Sequence, residues 1–302
     1  MAAELPQRDA LDVGLIVASH GRHYVVETPD GKRLTCHPRG KKSDCVVGDQ
    51  VRWRPTGSDE GVIEHLEPRR NLLYRQDEWK TKAFAANIDQ LLVLVAANPV
   101  FSESQLARAL IAAESAGIEA KIVLNKADLP QFEAARERLK PYAAMGLDVI
   151  ETAFKTDVEA ARGRLAALLA GKATLVLGPS GAGKSTLINL LAPGARAPVG
   201  EVSQALNSGR HTTTSTRWYW IDAMRTTALI DSPGFQEFGL RQIKPAELAG
   251  HMPDLREHTG TCRFYNCSHL HEPGCGVRAA LERVEISPSR YRIYAELYNE
   301  LN

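Results

Sequence analysis

Gly178-Pro179-Ser180-Gly181-Ala182-Gly183-Lys184-Ser185 has the spacing G-x-x-x-x-G-K-[ST]. It follows an apolar run, Thr174 to Leu177, and leads into a segment of helical character, Ser185 to Leu191. Glycines let a backbone turn its N–H groups onto a phosphate, and a helix N-terminus adds partial positive charge. Lys184 is expected to reach the β- and γ-phosphates and to act in catalysis. The Ser185 hydroxyl is expected to ligate Mg²⁺, and Thr186 completes the phosphate-binding set. A glycine-rich turn before an ordinary helix is the plain alternative, but the flanking strand and helix favour a nucleotide site.

Asn125-Lys126-Ala127-Asp128 follows a second apolar run, Lys121 to Leu124. A carboxylate at a strand end can accept two hydrogen bonds from the N1–H and amino group of guanine, a pair that adenine does not offer. Beside a phosphate loop the tetrad resembles the guanine-specificity motif of the GTPase superfamily. Asp231-Ser-Pro-Gly234 resembles the D-x-x-G motif of the same superfamily. There Asp231 would hold Mg²⁺ through water and the Gly234 N–H would sense the γ-phosphate. His211-Thr-Thr-Thr214 stands where switch I belongs, and one of its threonines, Thr214 in our assignment, would complete the Mg²⁺ shell. Glu151-Thr-Ala153 takes the place of a guanine-backing loop, with Thr152 where Ser is usual. In ordinary GTPases the phosphate loop comes first; here the base motif at 125 precedes the loop at 178, so the motifs are circularly permuted. Phe235, next to Gly234, cannot orient water as a glutamine does, which points to slow intrinsic turnover. His211 is the candidate water-positioning group, the alternative being a solvated switch histidine.

Cys262, Cys267, His269, His271 and Cys275 crowd into one short segment. Three thiolates and one imidazole make the closed tetrahedral set of a structural zinc site, and by chemistry alone either histidine could serve. Cys36 and Cys45 have only His37 beside them and read as plain thiols.

These groups need a scaffold. The 302 residues are 44% hydrophobic and 24% charged, a composition that excludes wholesale disorder and suits two or three domains. The longest clean apolar run, Leu91 to Ala97, is far too short to span a bilayer. The acid-bearing N-terminal stretch is no secretory signal, and a metal-type cysteine cluster fits a reducing compartment. A soluble, cytoplasmic protein is therefore expected. Residues 1–70 carry short β-rich runs at Gly14–Ser19, Tyr24–Thr28, Val51–Arg54 and Gly61–Glu64, with a turn signal at Pro29-Asp30-Gly31. They predict a small barrel of OB type, which either binds nucleic acid or docks on its neighbour. Residues 71–240 alternate buried strands (Leu91–Ala96, Lys121–Leu124, Ala173–Leu177) with helices (Ser104–Ala116, Gln131–Lys140, Val158–Leu169), predicting an α/β domain. Residues 241–302 hold the Cys/His segment and a tyrosine-rich helix from Arg290 to Leu301. Neither arm is basic overall: residues 1–70 hold eleven basic and eleven acidic groups, and 241–302 hold eight of each. Local clusters at Arg39, Lys41, Lys42, Arg52, Arg54, Arg69 and Arg70 could still gather as phosphate contacts.

Taken together, the permuted motifs, Gly209-Arg-His-Thr-Thr-Thr214 and the 262–275 cysteine pattern resemble the bacterial ribosome small subunit-dependent GTPase A (RsgA/YjeQ) family over essentially the whole chain. The resemblance implies an N-terminal OB-fold, a central permuted GTPase domain and a C-terminal zinc-binding α-helical domain. It implies a monomer that binds the 30S subunit and 16S rRNA and assists late maturation of that subunit, with GTP hydrolysis stimulated by it. It also implies Cys262, Cys267, His269 and Cys275 as the zinc ligands, leaving His271 outside. Two other classes remain at this point: a P-loop kinase or ATPase, and an RNA-binding scaffold in which GTP is only structural.

Overall fold

The computed structural model describes residues 11–40, 44–76, 81–195, 216–232 and 240–302. Near the N-terminus, alternating buried and exposed side chains make five strands: β1 (Asp12–His20), β2 (His23–Glu27), β3 (Arg33–Pro38), β4 (Gln50–Pro55) and β5 (Glu60–Leu66). They run β1-β2-β3-β5-β4, and β4 returns to pair with β1, so the barrel closes and leaves no free edge. Neighbours are antiparallel except β3 and β5. The period of two turns Leu34, Cys36, Val51, Trp53 and Ile63 inward, and Arg33, Arg52 and Arg54 outward. β3 is absent from the sequence reading because it offers only Leu34 and Cys36 as apolar inward residues. Its pairing with β2 and β5 makes it a strand.

The α/β alternation expected from residue 71 is preceded by a hairpin, β6 (Leu72–Gln76) and β7 (Thr81–Ala86). It lies against the barrel: the Ala86 N–H donates to the Val47 carbonyl at 2.9 Å. A Cβ on Gly48 would stand 2.0 Å from the Ala86 oxygen.

The central sheet comprises β8 (Gln90–Ala96), β9 (Glu119–Asn125), β10 (Val149–Glu151), β11 (Ala173–Leu177), β12 (Arg217–Trp220) and β13 (Ala228–Asp231), in the order β10-β9-β8-β11-β13-β12. All are parallel save β12, which runs antiparallel to β13 and touches β1 through Ala18 and Arg217. Every residue of β8 is buried, as a parallel strand covered on both faces requires. Leu91, Val93 and Val95 pack towards α1 (Glu103–Ser115) and α2 (Phe132–Ala144). Leu92, Leu94 and Ala96 pack towards α3 (Val158–Leu169) and α4 (Lys184–Leu191). The Ser102 hydroxyl caps α1 by accepting the Gln105 N–H at 3.3 Å. Helix α2 outruns its expected end at Lys140 and continues through Pro141, because buried Leu139 and Tyr142 hold its last turn despite the missing N–H. From β8 the chain proceeds to β9 on one side, and from β11 it proceeds by way of α4 to β12 and β13 on the other. The reversal opens a crevice at the carboxyl ends of β8 and β11.

Residues 240–302 form a short 3₁₀ segment (Pro245–His251) and helices α5 (Pro253–Thr259), α6 (Gly276–Glu282) and α7 (Pro288–Leu301). They dock on α1 and α2. Arg108 pairs with Glu300, and Arg256 pairs with Glu114. Buried Arg290 grips Asp254 at 2.8 and 3.0 Å and lies over the Tyr142 ring at 5.1 Å. Among the described residues no helix is long and apolar enough to cross a membrane.

Candidate nucleotide site and metal cluster

Strand β11 delivers Gly178 into the crevice, where only glycine fits: a Cβ there would stand 2.4 Å from the Leu94 carbonyl oxygen of β8. Pro179 and Ser180 carry the chain outward, and Gly181 returns it with φ +79°. At Gly183, φ is +111° and an added Cβ would meet the Asn125 amide nitrogen at 2.5 Å. The first helical bond of α4 runs from the Leu187 N–H to the Gly183 carbonyl. The N–H groups of Lys184, Ser185 and Thr186 therefore have no partner within the helix, as at any helix start, and they open on the crevice. The Lys184 ammonium donates to the Asp231 carboxylate at 2.8 Å and to the Ser232 carbonyl at 2.5 Å. Asp231 ends β13 and is buried. With the Ser185 hydroxyl it offers the hard oxygen donors that Mg²⁺ takes.

Asn125 ends β9 in a 3% exposed position. Its amide donates to the Ala182 carbonyl of the phosphate loop at 2.9 Å. Its carbonyl accepts the Phe154 N–H at 3.1 Å and the Thr152 hydroxyl at 3.4 Å. The next turn is held by the Ala127 N–H on the Thr152 carbonyl. Lys126, at φ +67°, reaches the Asn98 carbonyl at 2.5 Å. Burial holds its pKa below the ordinary lysine value, and nearby Lys155 adds to the shift. Ala127 and Asp128 emerge exposed at the rim of the crevice. The structure thus joins the base motif to the phosphate loop across 57 residues of reversed chain order. The sequence reading placed Asn125 in the nucleotide site but missed its role as the tie between the two loops. The available signal was a lone amide closing an apolar strand, since a buried polar group is kept only where it is bonded. His211, Thr214 and Gly234 lie outside the described residues, as do Lys41 and Lys42.

In the C-terminal region, ligand atoms of Cys262, Cys267, His269 and Cys275 all lie within 4.8 Å of one another. The Nδ1 of His269 is 3.4 Å from the Cys262 sulfur and 3.5 Å from that of Cys275, and those two sulfurs are 4.0 Å apart. Tetrahedral zinc with ordinary bond lengths requires about 3.8 Å between sulfurs and about 3.6 Å from sulfur to nitrogen. The cluster fits that ion. The geometry resolves the choice between histidines: His269, buried and at φ +61°, turns into the cluster while His271 is exposed. Tyr291 and Tyr294 of α7 hold this turn by donating to the His269 and Ser268 carbonyls, each at 2.8 Å. Burial opposes ionisation of Glu272, yet N–H bonds from Ser268 at 2.7 Å and His271 at 3.2 Å prevail and bring its carboxyl down to about 2. Burial also pushes the Cys267 thiol up to about 12, so binding of a metal there must displace a proton.

A phosphate loop at the switch point of a parallel sheet, preceded in the chain by its base motif, defines a circularly permuted P-loop GTPase. The family model of the RsgA GTPase matches residues 66–241. The small ribosomal subunit biogenesis GTPase RsgA of Variovorax paradoxus is 63% identical over 294 residues, covering 96% of this chain and 92% of that protein. The crystal structure of YjeQ from Thermotoga maritima superposes with a TM-score of 0.74 at 30% identity, covering 96% of this chain and 98% of that one. YloQ, a circularly permuted GTPase, superposes with a TM-score of 0.71 at 26% identity, covering 99% and 98%. The chain belongs to the RsgA GTPase family and is a hydrolase acting on GTP.

Proposed function

We propose that this GTPase serves biogenesis of the small ribosomal subunit in the cytoplasm, binding the 30S particle and its 16S rRNA as a monomer and hydrolysing GTP faster when bound. The observation that carries the nucleotide reading is the bond from Asn125 to the Ala182 carbonyl, which couples the base motif to the phosphate loop. In this reading Asp128 accepts the guanine N1–H and amino group, with Lys126 and Ala127 framing the base. The loop amides from Gly178 to Thr186 cradle the phosphates. Lys184 exchanges its bond to Asp231 for the β- and γ-phosphates. Ser185, Asp231 and Thr214 would hold Mg²⁺, which would neutralise charge developing on the phosphate oxygens. Gly234 senses the γ-phosphate, and His211 positions the attacking water. Zinc on Cys262, Cys267, His269 and Cys275 staples the C-terminal domain, a role supported by the fit of their spacing to that ion.

The decisive experiment measures GTP hydrolysis with and without purified 30S subunits. Turnover that rises with added subunits is expected, and His211→Ala should lose the increment while retaining GDP binding. Turnover indifferent to subunits would overturn the stimulated mechanism, and ATP competing as well as GTP would overturn the base assignment.

A further inference from the structure

Between the cluster residues Cys262 and Cys267 the chain makes a four-residue excursion, Arg263-Phe264-Tyr265-Asn266, in which every residue is exposed. Tyr265 is 102% exposed and Phe264 40%. These aromatics take no part in the local core, which is built from Leu255, Val277, Ala280, Ile293, Tyr294 and Leu297. The excursion is nevertheless held in shape. The Arg263 N–H donates to the Gly274 carbonyl at 3.0 Å, the Cys267 N–H reaches the Phe264 carbonyl at 3.3 Å, and both ends carry cluster sulfurs. Its charge is one-sided. The Arg263 guanidinium sits 5.5 Å from the centre of the Phe264 ring and forms no ion pair among the described residues. Glu272, the only carboxylate between 262 and 275, is occupied by two backbone N–H groups.

A tip held at both ends, with one fully exposed tyrosine ring, a phenylalanine 40% exposed beneath a guanidinium, and no ion pair to that guanidinium among the described residues, suits a π-face joined to a phosphate, which is the chemistry of an unpaired nucleotide. A protein partner would want broader apolar surface with complementary acids. We propose that Phe264 and Tyr265 form a stacking platform for an unpaired nucleobase of small-subunit RNA, with Arg263 on the adjoining phosphate. The inference rests on the small-subunit reading above and names what this tip contacts there.

The test uses the full-length, zinc-loaded protein and purified 30S subunits. The double variant Phe264→Ala/Tyr265→Ala should bind about 5- to 150-fold more weakly, while its zinc content and subunit-free GTP hydrolysis match the parent. Tyr265→Trp, which keeps a π-face, should bind as the parent does. Ultraviolet cross-linking of the parent complex should attach RNA to the peptide holding Tyr265. Undiminished binding by the double variant, or a cross-link from this peptide only to a ribosomal protein, overturns the platform alone. Failure of the parent protein itself to bind subunits overturns the small-subunit reading, and the platform with it.

Discussion

Asn125→Ala tests the joining of the two permuted halves. The side chain makes two well-formed bonds, at 2.9 Å to the Ala182 carbonyl and 3.1 Å from the Phe154 N–H, and a weaker one at 3.4 Å from Thr152. Each buried group left without a partner costs about 1–3 kcal/mol, so the two main losses bracket about 2–6 kcal/mol. The crevice is open to water at the Asp128 rim, which favours the lower part of that range, about 2–3 kcal/mol. A domain with a stability of about 5–15 kcal/mol survives this. The tie between the loops is a single bond with a net contribution of about 0.5–1.5 kcal/mol, so its loss should weaken GDP binding about 2- to 12-fold. Urea unfolding measures the first quantity, and titration with a fluorescent GDP analogue measures the second. A stability loss of the expected size with unchanged affinity for GDP and GTP would refute the reasoning, because the contact would then serve folding alone.

Asp128→Ala removes the proposed acceptor for guanine, so competition assays should show the preference for GDP over ADP falling by about 100-fold or more. A strong chelator should strip one zinc per chain, read by metal analysis, and lower the thermal midpoint, because metal-binding energy in such a cluster is folding energy. Glu272 is held at about 2 in the folded chain against an ordinary 4.5. Its contribution is therefore complete above about pH 4.5 and is lost as pH falls through about 2. The stability deficit of Glu272→Gln should be full at pH 6 and shrink steadily below pH 4.5, as followed by urea unfolding of parent and variant, both freed of metal so that loss of zinc at low pH does not enter the comparison.

Chemistry written in contiguous residues was legible without coordinates. The phosphate loop, the Asn125–Asp128 tetrad and the cysteine segment each need fixed residue types at fixed short spacing, and local geometry cannot supply their function otherwise. Periodicity likewise marked α3 to its observed ends and β11 to its full length, because an amphipathic helix or a fully apolar strand declares its environment residue by residue. Tertiary structure decided what depends on partners distant in the chain. β3 is a strand because β2 and β5 flank it. The hairpin from Leu72 to Ala86 lies on the barrel because Val47 accepts its last N–H. Asn125 ties two loops because β9 and β11, on either side of β8, bring their carboxyl ends to one crevice. His269 prevails over His271 because a left-handed turn, held by two tyrosine hydroxyls of α7, points it at the sulfurs. Residue type and spacing set which groups could react or ligate; long-range hydrogen bonding and packing set which of them meet.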